Sequence, residues 1–472
     1  MDKDISIETS NSSEWFDAQI INEKPSRLSG IIFVWLSVIL VFATIAYGAV
    51  DTWALGFLSI FTGLLTILWF IDAILKKQFS FSVNSLQLPL IGLLLIGIIQ
   101  LLPIGVANVP NDLLSIPASS ALSIDPNTTR LAVVFLTIYL VFFAAGFTFI
   151  NSQGRLRKMV FTVIGFGAFM AFLGIIQFLT GTDSIYGLRP NLGTSPFASF
   201  ANKNHFAALM EMTIGLTLGL LYGDSTKKDK RLLLGIAIVL MGLAIVLTGS
   251  RGGLLSLLTV IGFVTLFNFT NKTSKHSSDE TVSTVKSNNK FLLIGASLTL
   301  ILILLGSVLF LGADSSLKRG TGLAEQTDLS TGRSHFWQIA LKVIKENPVI
   351  GTGLDTFGTA FPKFDTWNGN LRVEQVHNDY LQILSDAGIL GFLCVAAFIF
   401  LLFKQSLRIV NQTSDKFRRG VAIGALAGCF GVLFHSFFDF PLRTPANSFF
   451  FLIFVVLATA SINYPKLYRK RA

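Results

Sequence analysis

Charge and cysteine are both scarce in this chain. Asp, Glu, Lys and Arg together make up 14% of its 472 residues, and the two cysteines are Cys394 and Cys429. A soluble domain of this length could not cover its surface with so few charges. Both cysteines lie inside long apolar runs, which excludes a disulfide framework. No His or Cys pair has zinc spacing, so neither a metal site nor another cofactor is expected.

What is abundant is hydrocarbon: 52% of the residues are hydrophobic, 44 of them Phe. They gather into runs of roughly 17 to 23 residues, the length that crosses a hydrocarbon core of about 30 Å as a helix. The runs predict an all-α integral membrane protein with twelve transmembrane helices near 29–49, 54–75, 86–102, 131–150, 159–179, 205–222, 232–249, 253–269, 291–311, 380–403, 420–438 and 445–463. The first run is too long for a signal-peptide core and follows a polar segment, so it reads as a retained helix. The expected layout is an N-terminal tail over 1–28, helices over 29–311, a loop domain with short helices over 312–378, helices over 379–463 and a C-terminal tail over 464–472.

Most of the 37 Lys and Arg fall in alternate loops, such as KK at 76, RLRK at 155 and KKDKR at 227, while AVDTW has none. Basic residues stay on the cytoplasmic side of a membrane, so both termini are expected to be cytoplasmic and 312–378 periplasmic, in a bacterial inner membrane. The net charge of +10 is then a topology signal together with attraction to anionic lipid. Nucleic acid is not an expected partner.

Between spans, NKTSKHSSDETVSTVKSNNK at 271–290 reads as a polar connector without apolar periodicity. In the long loop, STGRSHFWQIALKVIKENP predicts a helix capped by Ser330 or Thr331 and stopped at Asn347 before Pro348. Its apolar stripe reads as Trp337, Ala340, Leu341 and Ile344. Gly351, Gly353 and Gly358 in GTGLDTFGTAF suit tight turns or the close approach of another group. Span 6 opens with Asn and Lys residues, and GSRGG at 249–253 makes a hairpin with Arg251 at its tip.

His205, His335, His377 and His435 lie at or near the expected outer face. His377, three residues before span 10, is the strongest candidate for chemistry, because imidazole exchanges protons near neutral pH and suits a general base for a hydroxyl. An interfacial hydrogen-bonded histidine would look the same. Glu374 or Asp379 could orient its ring. Glu211 in span 6 and Asp386 in span 10 are intramembrane carboxylates, which need a cavity or an ion partner. The first outer loop offers only Asp51, which argues against metal-dependent enzymes that use acidic pairs there and favours arginines that neutralise phosphate.

TGSRGG at 248–253, GRSHFW at 332–337, NPVIGTGLDTF at 347–357, HNDYLQILSDAGILG at 377–391 and HSFFDFPLRTP at 435–445 together resemble the O-antigen ligase and O-antigen polymerase superfamily of envelope glycosyltransferases. The resemblance implies metal-independent, inverting transfer of a glycan from an undecaprenyl-diphosphate carrier to a glycan, lipid or protein hydroxyl. It implies His377 as base and Arg189 and Arg251 as diphosphate contacts, with Arg333 a third. The competing reading is a polytopic transporter or flippase of envelope glycans, which tends to show internal repeats and midplane ionisable groups; neither is found here.

The charge pattern makes a topological prediction. In a chain lacking Cys394 and Cys429, a Glu325→Cys variant reacts with a membrane-impermeant thiol reagent in intact cells and a Glu280→Cys variant does not. The reverse pattern would invert the orientation.

Overall fold

The computed structural model describes residues 26–104, 120–182, 184–190, 196–223, 226, 228–273, 332–367 and 373–461. They form an all-helical bundle: α1 (Arg27–Ile45), α2 (Thr52–Lys76), α3 (Gln87–Gln100), α4 (Pro126–Phe149), α5 (Gln153–Thr180), α6 (Lys203–Tyr222), α7 (Lys228–Thr248), α8 (Arg251–Thr273), α9 (Arg333–Glu346), α10 (Phe357–Ala360), α11 (Asp379–Gln412), α12 (Lys416–His435) and α13 (Pro445–Thr459). Among the described residues eight helices are long and apolar enough to cross a membrane, α1, α2, α4 to α7, α11 and α12. Three further apolar helices, α3, α8 and α13, are shorter. The expected span at 291–311, both tails for most of their length, most of the 271–290 connector, residues 312–331 and the caps Ser330 and Thr331 lie outside the described residues.

The expected count of twelve spans is thus matched only in part, and the described apolar helices differ in how far protein buries them. In α2, 28% of the most apolar stretch is buried, whereas in α6 and α12 the share is 83%, so these two form the centre and α2 the rim. Every residue of α13 is buried. A helix sheathed on all sides by protein is excused from matching the bilayer's thickness, which is why 15 residues suffice.

α6 and α12 meet along a seam of glycines. Gly215, Gly219 and Gly223 face Gly420, Gly424 and Gly428, and a Cβ on Gly219 would lie 2.4 Å from the Gly424 Cα. The four-residue spacing on both helices strips one face of side chains, so the backbones approach closely and gain dispersion contacts that lipid tails would otherwise supply.

α11 is broken at Gly388 (φ 62, ψ −163), and residues 348–354 fill the break. Thr352 and Gly353 N–H donate to the Ser385 and Asp386 carbonyls, while Ile389 and Leu390 N–H donate to Pro348 and Val349. The strap replaces hydrogen bonds that the broken helix lost, and non-helical backbone at this depth is tolerated where protein satisfies it. Gly351 (φ +70) and Gly353 (φ +125) are required: a Cβ on Gly351 would lie 2.3 Å from the Asp386 carbonyl carbon.

Above this break α9 covers the start of α11. Its buried face is Phe336, Ile339, Ala340 and Val343, and Leu341 is 57% exposed. The expected stripe was thus displaced by one position, since FWQIALKVI satisfies helical spacing on two overlapping faces and only the partner chooses between them. Gly332 (φ 87) precedes the helix without a side-chain cap, and the stop at Asn347 stands as expected.

Gly219→Val should lower the melting temperature of the detergent-purified protein strongly, because forcing methyls into packed backbone costs about 1–3 kcal/mol or more. Gly56→Ala in α2, where nothing lies within 4 Å, should leave it unchanged. Equal effects in a thermal shift assay would remove the seam from the account.

Candidate active site

The N-terminal ends of α6, α8, α9 and α11 meet the C-terminal end of α12, and Asp439 lies at the junction. Its side chain is 1% exposed. His377 Nδ1 lies 3.1 Å from Asp439 Oδ1, and Asn204 Nδ2 donates to Oδ2 at 2.5 Å. Arg333, first residue of α9, brings its guanidinium to 4.0 Å from the same oxygen. Burial alone would raise the Asp439 carboxyl, but the hydrogen bond from His377 and the nearby Arg333 guanidinium outweigh it and hold the group below the usual carboxylate range. Asp439 is a fixed anion.

His377 is 31% exposed, with φ +57, a left-handed conformation that costs a non-glycine residue of order 1–3 kcal/mol. Its neighbours hold it there. Val376 N–H donates to Gln382 at 2.7 Å, Asn378 Nδ2 to the Phe437 carbonyl, and Asp379 N–H to the Ser436 carbonyl. Asn378 caps α11 by accepting from Tyr380 and Leu381 N–H. The ring stands edge-on to Phe440 at 4.8 Å and stacks on Phe336 at 5.8 Å. With Nδ1–H donated to Asp439, Nε2 is the nitrogen that can take a proton.

The carboxylate on His377 is Asp439, which sequence reasoning did not single out; of the two acids it offered, Asp379 bonds to Ser436 and Glu374 lies against Gly358. The other two acids are spoken for. Glu211 bonds to His435 at 3.0 Å, and Asp386 to Arg443 at 2.7 Å. His335 is held by Asp365 and stacks on Trp367, and His205 bonds to Thr444.

Of the three arginines, Arg333 reaches the His377 cluster directly. Arg251 opens α8, and a Cβ on the next residue, Gly252, would lie 2.9 Å from the His435 ring. Lys203, opening α6, brings Nζ to 3.8 Å from where a Gly249 Cβ would lie, beside the same hairpin. Arg189 is one layer out: it pairs with Asp51 at 2.8 Å over the Tyr47 ring, and Gly48 of that turn packs on Thr444.

Residues 236–396 match the family model described as O-antigen ligase. The match covers less than half of the chain and makes this segment similar to that family. No curated protein matches the chain. The O-antigen ligase segment runs from α7 into α11 and contains Arg251, Arg333 and His377, while Asp439, Arg443 and Arg189 lie beyond it. The family implies an enzyme of glycosyltransferase type working on lipid-linked glycans at a membrane. Asp439, Asn204 and Arg443 went unassigned because their partners lie far along the chain, although HSFFDFPLRTP, placed between two apolar runs, advertised a charged turn.

Arg443 is a structural cation. It donates to Asp355 and Asp386 at 2.7 Å each, and Gln100 ties the same strap through the carbonyls of Ile350 and Asp386 and the Leu354 N–H. Burial works against the Arg443 charge, but Asp386, Asp355 and Asp379 raise it above its ordinary value. Because Asp386 is fully buried, Arg443→Met leaves an uncompensated charge and should cost about 3–5 kcal/mol in thermal or denaturant unfolding. Breaking the half-exposed Arg189–Asp51 pair by Asp51→Asn should cost less than about 1 kcal/mol. A larger loss from Asp51→Asn than from Arg443→Met would contradict this ranking.

Proposed function

We propose that the protein is a membrane glycosyltransferase that moves a glycan from an undecaprenyl-diphosphate carrier to an acceptor hydroxyl on the periplasmic side of the inner membrane. The observation that carries this reading is the His377–Asp439 pair beside helix ends that open with cations, Lys203, Arg251 and Arg333. His377 Nε2 takes the proton of the acceptor hydroxyl as its oxygen attacks the anomeric carbon. The bond from that carbon to the diphosphate oxygen breaks on the opposite face, which inverts the centre. Asp439 holds the imidazole in its working tautomer and stabilises the imidazolium that forms.

The departing diphosphate gains negative charge. Arginine forks and unpaired N–H groups at helix N-terminal ends meet that charge without having to reorganise. Arg251 and Arg333 hold the diphosphate in this scheme, and Lys203 adds a point charge. Arg189, already paired with Asp51, has a weaker part at the edge.

Transfer assayed with purified lipid-linked donor tests these roles. His377→Ala should slow turnover by roughly 100- to 10,000-fold with donor binding nearly intact. Asp439→Asn should cut turnover by a smaller factor. Arg251→Ala loses a charge-assisted contact worth about 1.5–3 kcal/mol, so donor binding should weaken roughly 10- to 150-fold. Chelation by EDTA should leave the rate unchanged. Full transfer by a folded His377→Ala protein would overturn the assignment, and loss in EDTA restored by Mg²⁺ would replace the arginine scheme with a metal one.

A further inference from the structure

Between α3, α4, α11 and α13 the bundle leaves a slot of about 320 Å³. Leu93, Leu136, Ile383, Val395 and Phe398 are typical of its wall. Along α11 the lining takes in Asp379, Tyr380 and Ile383 before the break at Gly388 and Cys394, Val395, Phe398 and Ile399 after it. Its charged residues gather at one end: Asp355, Asp379 and Arg443. That end adjoins the base, since His377 is two residues before Asp379 and its ring packs on Phe440, two residues before the slot residue Leu442.

The charge there has a sign. Arg443 is already committed to buried Asp386 and to Asp355, and Asp379 adds another carboxylate, so anionic oxygens outnumber guanidinium. Asp355 is 42% exposed, and both hydrogen bonds it receives, from Arg443 and Gln375, end on Oδ1, which leaves Oδ2 as an acceptor. Ionised carboxylates only accept, so they suit hydroxyl donors and repel phosphate. The cations Lys203, Arg251 and Arg333 have the opposite preference and open other helices. A diphosphate and the slot's rim are therefore mismatched, while a polyhydroxylated, uncharged head and the rim agree.

We infer that the slot seats the acceptor, and that this acceptor is an amphiphile with an uncharged hydroxylated head at Asp355 and Asp379 and a hydrocarbon chain extended between α4 and α11. The inference rests on the transfer reading above and narrows it. A second lipid diphosphate, whose charge would meet the carboxylates, fits the slot poorly, as does a phospholipid.

The test is binding, which needs no transfer. The full chain in nanodiscs is titrated with a fluorescent dodecyl glucoside, and competition by unlabelled dodecyl glucoside is compared with dodecyl phosphate. The glucoside should displace the probe roughly 10-fold or more better than the phosphate, one hydrogen bond to a charged group being worth about 1.5–3 kcal/mol. Val395→Trp, which fills the slot, should weaken binding by at least about 10-fold at unchanged melting temperature. Should that variant fail to fold, the isosteric rim change Asp355→Asn reads the same point by removing most of the preference for glucoside over phosphate. Equal or better competition by dodecyl phosphate, or unchanged binding by folded Val395→Trp, would overturn the inference while His377-dependent transfer stood. Selective glucoside binding without His377-dependent transfer would overturn the enzymatic reading and leave a neutral-lipid site.

Discussion

The close backbone contact between α6 and α12 sets the geometry on which the site depends. In lipid, two helices gain nothing by hiding apolar side chains from each other, so association rests on how near their backbones can come. Glycine on both faces makes the approach possible, and it fixes the level at which the helices end. The start of α6 then presents Asn204 to Asp439, and its third turn presents Glu211 to His435. The first bond reaches the segment that follows α12, and the second joins the two helices directly. A side chain at Gly219 or Gly424 would push the helices apart and separate both pairs together.

The other half of the site depends on a different solution to the same solvent problem. α11 cannot continue through Gly388, and a broken helix in hydrocarbon exposes amide groups at a cost of several kcal/mol each. The 348–354 strap fills that gap with its own backbone, and Arg443 and Gln100 lock the strap from outside. The first turn of α11 is anchored separately to the end of α12 through Asn378, Asp379 and Tyr380. His377 sits between these two rigid fastenings. Its left-handed backbone is sustained because its neighbours are over-determined, as expected where a side chain must be aimed and not merely packed.

Much of this was legible in the amino-acid sequence, and the pattern of what was not has a physical cause. Long apolar runs report directly on helices: eleven of the expected runs overlap described apolar helices, and eight of those helices are long enough to cross a membrane. α11 continues to Gln412, past the apolar run into KQSLRIVNQ, because hydropathy marks where lipid ends and not where hydrogen bonding does. His377 stood out by its chemistry, and Glu211 and Asp386 by the cost of burying a carboxylate. Their partners did not stand out. His377 and Asp439 are 62 positions apart, Arg443 and Asp386 57, and Glu211 and His435 224. Helical periodicity relates residues three and four apart, so it carries no information about pairs made by chain crossings. The misplaced α9 stripe belongs to the same class of error, since two faces were equally apolar and only the tertiary partner distinguishes them.

The distribution of charge around His377 follows from which elements end there. Helix N-terminal ends carry unpaired N–H groups and a partial positive charge, and three that converge near Asp439 open with Lys203, Arg251 and Arg333. The strap and the broken helix instead contribute Asp355 and Asp386, which need Arg443 merely to be buried. One imidazole thus lies between a cationic quarter built from helix ends and an anionic quarter built around a helix break. In the transfer proposed above that asymmetry would favour in-line displacement, because the hydroxyl and the departing diphosphate would then occupy opposite faces of one carbon. If each quarter rejects the other's ligand, the two substrates cannot exchange places, and the direction of attack is set by electrostatics before any sugar is recognised.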